Sequence, residues 1–298
     1  MTGSMRAAWA LFACHAGLIL FSTAAMVTVL NGASPVDLNS EPAATVMRIS
    51  FRFAGPSYVI LGGLTALVFL GAMVGWRKGA AVAVTAATMS LVAELVGTSV
   101  ALPFGDYSYS GLLGYRVMGL VPFPIPISWF YMLVGCLVIV VRMTARSTTP
   151  WRVAVGAGLL MVAWDLSLEP AMVNTGHWQW NSGAMFQALP AWVNAFFTRD
   201  AFYGMPLSNW LGWFITAAVI ARVMLLIIPA AEVRASAGTS SLPVALYLAN
   251  GVMPVALCLR DGLWWAAALG SAAMLIPSLI ALRNTDAAPA RTAAQPAT

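Results

Sequence analysis

Residues 80–102 read AAVAVTAATMSLVAELVGTSVAL, twenty-three positions with a single charged side chain, Glu94, and no proline. About 20 apolar residues are enough for a helix to cross the roughly 30 Å hydrocarbon core of a bilayer. Similar runs lie at 7–30, 53–74, 125–141, 151–168, 207–228, 242–259 and 263–282. The pattern predicts an all-α, polytopic membrane helical bundle of about eight transmembrane helices. Seven is the alternative count, because 125–141 is short and the last two runs also read as one interrupted hairpin.

Composition points the same way: 60% of the residues are AVILMFWYC, only 8% are charged, and the mean hydropathy is +0.83. A soluble domain carries about 25% charged residues, so this chain has too little polar surface to face water on all sides. The first run exceeds the roughly 7–15 residues of a signal-peptide core and is read as a retained helix. Residues 1–283 are expected to form a single integral membrane helical domain. Residues 284–298, rich in Ala, Pro and Thr, are expected to be a disordered C-terminal tail.

The net charge of +5 would suggest nucleic acid in a soluble protein, but here the basic residues flank the apolar runs. With the N-terminus inside, Arg6, Arg77, Lys78, Arg142, Arg146, Arg152, Arg222, Arg234, Arg283 and Arg291 fall on the inner side. Arg48, Arg52, Arg116, Arg199 and Arg260 fall on the outer side. The positive-inside rule then predicts an integral plasma (inner) membrane protein, multi-pass, with both termini cytoplasmic and no nucleic-acid partner. The long connections 103–124 and 169–206 lie outside, the second ending in an amphiphilic stretch, 184–198. Their Tyr107, Tyr109, Trp178 and Trp180 match an interfacial aromatic belt, which does not account for the neighbouring carboxylates.

Cys14, Cys136 and Cys258 sit in apolar runs without paired spacing and read as packing residues, so neither a disulfide nor a metal site is expected. There is no phosphate loop, zinc-protease motif or nucleophile elbow.

Glu94 lies about 21 Å along its helix from Ala80, and Asp165 about 21 Å from Trp151. Both helices start from the inner side, so the two carboxyls reach similar depth in the outer half of the bilayer. Glu169 follows Asp165 by four residues on the same helix face, and Pro170 is expected to end the helix. An acid at the bilayer centre costs about 2.5–3.5 kcal/mol on insertion scales, so it usually faces the bundle interior and marks function. Helix glue through hydrogen bonds or pairing with Arg116 or Arg199 is the plain alternative. One member of such a set would be carried as the neutral acid, as a general acid requires. Asp106, in PFGDYSY, is read equally as a turn residue or a participant, and His177 as a loop residue near the helix ends. Trp129, Trp164, Trp178, Trp180, Trp210 and Trp213 add π faces that need no explanation beyond packing one by one, but together suit a developing carbocation, an effect worth about 2 kcal/mol or more when desolvated. Acid and rings in an apolar chamber fit protonation of an alkene.

Several segments, in order, resemble the membrane-embedded CruF-type carotenoid biosynthesis family. They are Glu94-Leu-Val-Gly97-Thr98, Pro103-Phe104-Gly105-Asp106-Tyr107-Ser108-Tyr109, Leu113-Gly114, Trp164-Asp165 with Glu169-Pro170, Gly176-His177-Trp178-Gln179-Trp180, and Tyr203-Gly204-Met205-Pro206 with Asn209 and Gly212-Trp213. The resemblance covers 91–214. It implies a carotenoid 1,2-hydratase, which adds water across the terminal double bond of an acyclic carotenoid end group. Implied partners are an acyclic or monocyclic carotenoid such as γ-carotene or lycopene, water and the lipid bilayer, with no cofactor. The chain departs from the family pattern at Glu169, where Asp is expected, and in the stretch between Trp180 and Tyr203.

On this reading Asp165 or Glu169 donates the proton and Glu94 or Asp106 orients the water. Trp164, Trp178, Trp180, Trp129, Trp213, Tyr107, Tyr109, Asn209 and His177 would bind the substrate. A carotenoid cyclase would begin with the same protonation but yield an isomer. A proton-coupled transporter would use the carboxyls as relays and show internal repeats, for which the halves offer no convincing similarity. A non-catalytic carotenoid-binding scaffold would use the carboxylates only as glue.

Overall fold

A computed structural model describes residues 2–28, 42–181, 190–236 and 240–284, with the backbone alone over 42–52. Ten helices occur among them: α1 Gly3–Thr28, α2 Pro42–Val74, α3 Trp76–Val100, α4 Pro124–Met143, α5 Pro150–Asn174, α6 Ala191–Thr198, α7 Leu207–Ile227, α8 Ala230–Ser236, α9 Leu242–Arg260 and α10 Trp264–Arg283. All but α6 and α8 are long and apolar enough to cross a membrane, α2 through its part Phe53–Val74. The count is therefore eight: α9 and α10 are separate helices joined at Asp261–Leu263. The predicted tail lies outside the described residues, as does the first part of the 184–198 stretch; α6 forms its remainder.

The short run 125–141 becomes the centre of the bundle. Every residue of α4 from Ser128 to Arg142 is buried, and α4 packs against α2, α3, α5 and α9. A helix apolar on all sides belongs where protein surrounds it. Around it, neighbouring helices expose many large apolar side chains, such as Phe21, Val84, Leu159 and Leu226, where a soluble protein would place charge.

Pro124 and Pro150 start α4 and α5, where a missing N–H costs nothing. Pro170 does not end α5, which continues to Asn174. Packing against α7, α9 and α10 holds that extra turn despite the lost hydrogen bond.

At one end of the bundle basic side chains tie short turns together. Lys78 bridges to Glu232 at 2.7 Å, and Arg234 donates to the Thr144 carbonyl at 2.9 Å. At the other end the long connections form three small antiparallel ribbons. Strand β1 (Tyr107–Tyr109) pairs with β4 (Trp178–Trp180), β2 (Arg116–Val117) with β3 (Val121–Pro122), and β5 (Asp200–Phe202) with β6 (Met205–Pro206). Reading those connections as loops misses the alternation Tyr-Ser-Tyr and Trp-Gln-Trp. The register sets Tyr107 opposite Trp180 and Tyr109 opposite Trp178. Residues two apart, and residues directly opposite, share a sheet face, so all four rings point one way.

Candidate active site

The buried positions of α3 are Gly79, Val82, Ala86, Ser90, Glu94 and Gly97, a stripe recurring every three or four residues. Glu94 therefore faces the interior by helical period alone. On α5 the same logic buries Met161, Asp165 and Glu169. All three carboxyls are at most 3% exposed, and they lie close enough for their charges to interact.

Each acid has its own partners. Glu94 Oε2 accepts from the hydroxyls of Tyr107 and of Tyr109 (2.9 Å), and Oε1 accepts from the Trp129 indole N–H at 3.1 Å. Glu169 Oε1 accepts from the indoles of Trp178 at 2.9 Å and Trp180 at 2.6 Å. The β1–β4 ribbon thus delivers two phenols to one acid and two indoles to the other. Burial first, and then the charge of Glu94, holds the Tyr107 and Tyr109 phenols well above their usual range, so both remain donors. Asp165 Oδ2 accepts from Asn209 Nδ2 at 3.1 Å, while its Oδ1 has no hydrogen-bond partner among the described residues.

The ribbon is pinned by Phe104. A Cβ at Gly97 would come within 2.7 Å of the Phe104 ring, and one at Gly212 within 2.8 Å. Glycines on α3 and α7 therefore leave the slot into which the loop inserts its phenylalanine. Ser208 Oγ also donates to the Phe104 carbonyl at 3.0 Å.

Between these groups lies a cavity of about 870 Å³ whose walls include Glu94, Glu169, Tyr107, Tyr109, Asn209 and five tryptophans, 129, 164, 178, 180 and 213. Trp129 stacks on Trp213 with centroids 4.6 Å apart, and Trp164 meets Trp213 edge-on at 5.9 Å. Most of the residues singled out from the sequence thus converge. Asp165 is one step back, behind Asn209. Asp106 is not in the cavity: its carboxylate accepts from Asn181 Nδ2 at 3.0 Å and its carbonyl from the Asn181 N–H, which closes the ribbon. His177 lines a separate, adjoining space of about 450 Å³. Its Nδ1 hydrogen-bonds Thr175 Oγ1 at 2.8 Å, and burial pushes its imidazole down to about 4. No cluster of three or more potential metal ligands occurs among the described residues.

Sequence reasoning missed Tyr131, Asn250 and His15. Tyr131 and Asn250 line the cavity and bond each other, and His15 sits behind Asn250. A buried intramembrane histidine was the available signal. Pro254 adds another: it lacks the N–H that would bond the Asn250 carbonyl, and that freed carbonyl accepts from Trp164 Nε1 at 3.0 Å.

The chain is 29% identical over 129 residues to the bisanhydrobacterioruberin hydratase of Haloarcula japonica, a match covering 42% of this chain and 38% of that protein. The chain thus matches less than two fifths of that relative's length. No solved structure matches significantly. The family model described as carotenoid biosynthesis protein matches residues 54–277, from the fourth turn of α2 past the middle of α10, and takes in every acid and tryptophan of the cavity. The chain belongs to the carotenoid biosynthesis protein family.

Proposed function

We propose that the protein is a carotenoid hydratase that adds water to the terminal double bond of an acyclic carotenoid end group. The observation that carries this reading is the convergence of intramembrane acids, each held by fixed donors, on one ring-lined cavity. The hydratase relative supports the reaction class.

Glu169 is the proton donor. It lines the cavity, and both indole bonds fall on Oε1, which leaves Oε2 for the acid proton. Its proton adds to the less substituted alkene carbon, so the cation forms at the dimethyl carbon, faced by Trp164, Trp178 and Trp180. A water then forms the C–O bond as one of its O–H bonds breaks. Glu94, whose three contacts are all donors and suit a carboxylate, takes the released proton and passes it back to Glu169. One proton is returned for each one used, so the cycle needs neither reductant nor metal. Asp165 positions Asn209. The spans 1–283 act as one domain in the plasma membrane, with the loop end outside and both termini in the cytoplasm.

The test is expression in a host that makes lycopene or γ-carotene, followed by mass analysis of the pigments. A hydratase adds the mass of water to the substrate. A product of unchanged mass would make the protein a cyclase, and unaltered pigment would remove the enzymatic reading.

A further inference from the structure

One wall of the cavity holds a one-way chain of hydrogen bonds that includes none of the acids. Asn250 Nδ2 donates to the Leu246 carbonyl at 2.7 Å, which fixes the amide's orientation, because a carbonyl only accepts. Its Oδ1 therefore accepts, and Tyr131 Oη–H donates to it at 2.8 Å. The second Asn250 N–H points at His15 Nε2, 3.2 Å away. His15 Nδ1 lies 2.7 Å from the Tyr58 carbonyl and must donate there, so the ring is the neutral tautomer with a bare Nε2. Every hydrogen thus runs from Tyr131 through Asn250 and His15 to a backbone carbonyl.

A phenol that donates into such a chain becomes a better acceptor, and Tyr131 lines the cavity. What the chain leaves on offer is lone-pair density on Tyr131 Oη, which only a ligand bearing an O–H or N–H can use. A hydrocarbon polyene has none. Two species at this site do, the water that reacts and the alcohol that forms. His15 also precedes the residues matched by the family model, so α1 adds this chain's end from outside the family match.

We infer that Tyr131 Oη, backed by Asn250 and His15, is the binding site for the reacting water. The water donates one hydrogen to the phenol oxygen and keeps a lone pair for the cation. A neutral acceptor that shares no hydrogen bond with Glu169 holds the water without competing for the proton meant for the alkene, and leaves the water's second O–H for Glu94. Tyr131 is the contact residue; Asn250 and His15 are positioning residues.

This inference rests on the hydratase reading and is tested by comparing capture with protonation. An acyclic carotenoid hydrocarbon is supplied to membranes carrying the protein in deuterium oxide. The carboxyl then delivers a deuteron to the alkene. If water adds, the product is the alcohol; if not, the cation loses a proton from a neighbouring carbon and deuterium stays in the recovered hydrocarbon. Tyr131→Phe is expected to lower alcohol formation about tenfold while deuterium exchange into hydrocarbon holds within about twofold or rises. His15→Leu, at the far end of the chain, is expected to give the same split at about threefold, and carries the test should Tyr131→Phe fail to accumulate. An unchanged ratio of alcohol to exchange overturns the inference, including the case in which Tyr131 contacts only the product alcohol and its loss merely relieves product inhibition. A parallel fall of both also overturns it. A wild-type protein that neither hydrates nor exchanges overturns the hydratase reading, and this site with it.

Discussion

Two cavities in the same bundle share several helix walls and little else. Residues of α3, α4 and α7 wall both the acid-and-ring chamber and a second space of about 300 Å³ toward the basic end. That second space is lined by aliphatic side chains and methionine, among them Leu70, Val82, Leu137, Val138 and Met224. The contrast shows that a void is not what makes a site here. Imperfect packing between helices yields voids at either end; only one end also receives donors from the loops and acids from the spans.

The comparison breaks most sharply at Glu169. Glu169→Gln keeps the two indole bonds possible and removes the acid, so hydration is expected to fall by about 10²–10⁴ in pigment assays. Trp164→Leu leaves the acids alone and removes one π face; a loss of about 2 kcal/mol of cation stabilisation corresponds to roughly 30-fold in turnover. Leu137→Ala, in the aliphatic space, sharpens the comparison from the other side. Turnover per folded molecule is expected to stay within about twofold, while stability in detergent drops by about 2–5 kcal/mol, read from denaturation curves.

The smallest effect belongs to His177. Burial lowers its folded value to about 4, against about 6.5 in the unfolded chain. Its neutral form therefore costs nothing above about pH 6.5, and stability is lost as pH falls from there toward 4. Melting temperature in detergent should decline over that window, and His177→Phe should flatten that decline without a comparable change in turnover at neutral pH.

The spans were legible because hydrophobic length is a direct physical requirement of the bilayer, and Glu94, Asp165 and Glu169 were legible because acids are costly there. The β1–β4 ribbon was not read, although its alternation was visible, because three-residue strands fall below what periodicity distinguishes from an aromatic belt. Asp106 reads equally as a turn residue or a participant for a related reason: a carboxylate in a turn looks the same in sequence whether it faces a cavity or, as here, an asparagine. Asn250 and His15 are single polar residues in apolar runs, and only tertiary packing brings α1, α4 and α9 together to give them partners.

The β1–β4 ribbon has one more consequence. Its four donors end on two buried acids, and such bonds are worth about 1.5–3 kcal/mol apiece to a charged carboxylate and about 0.5–1.5 kcal/mol apiece to a neutral one. Lifting that cap would take two donors from each acid at once, leaving Glu94 with the Trp129 indole and Glu169 with neither of its indoles. On the proposed reading, a long hydrocarbon that entered without displacing the ribbon would leave all four of these bonds intact, so entry and the hold on the acids need not compete.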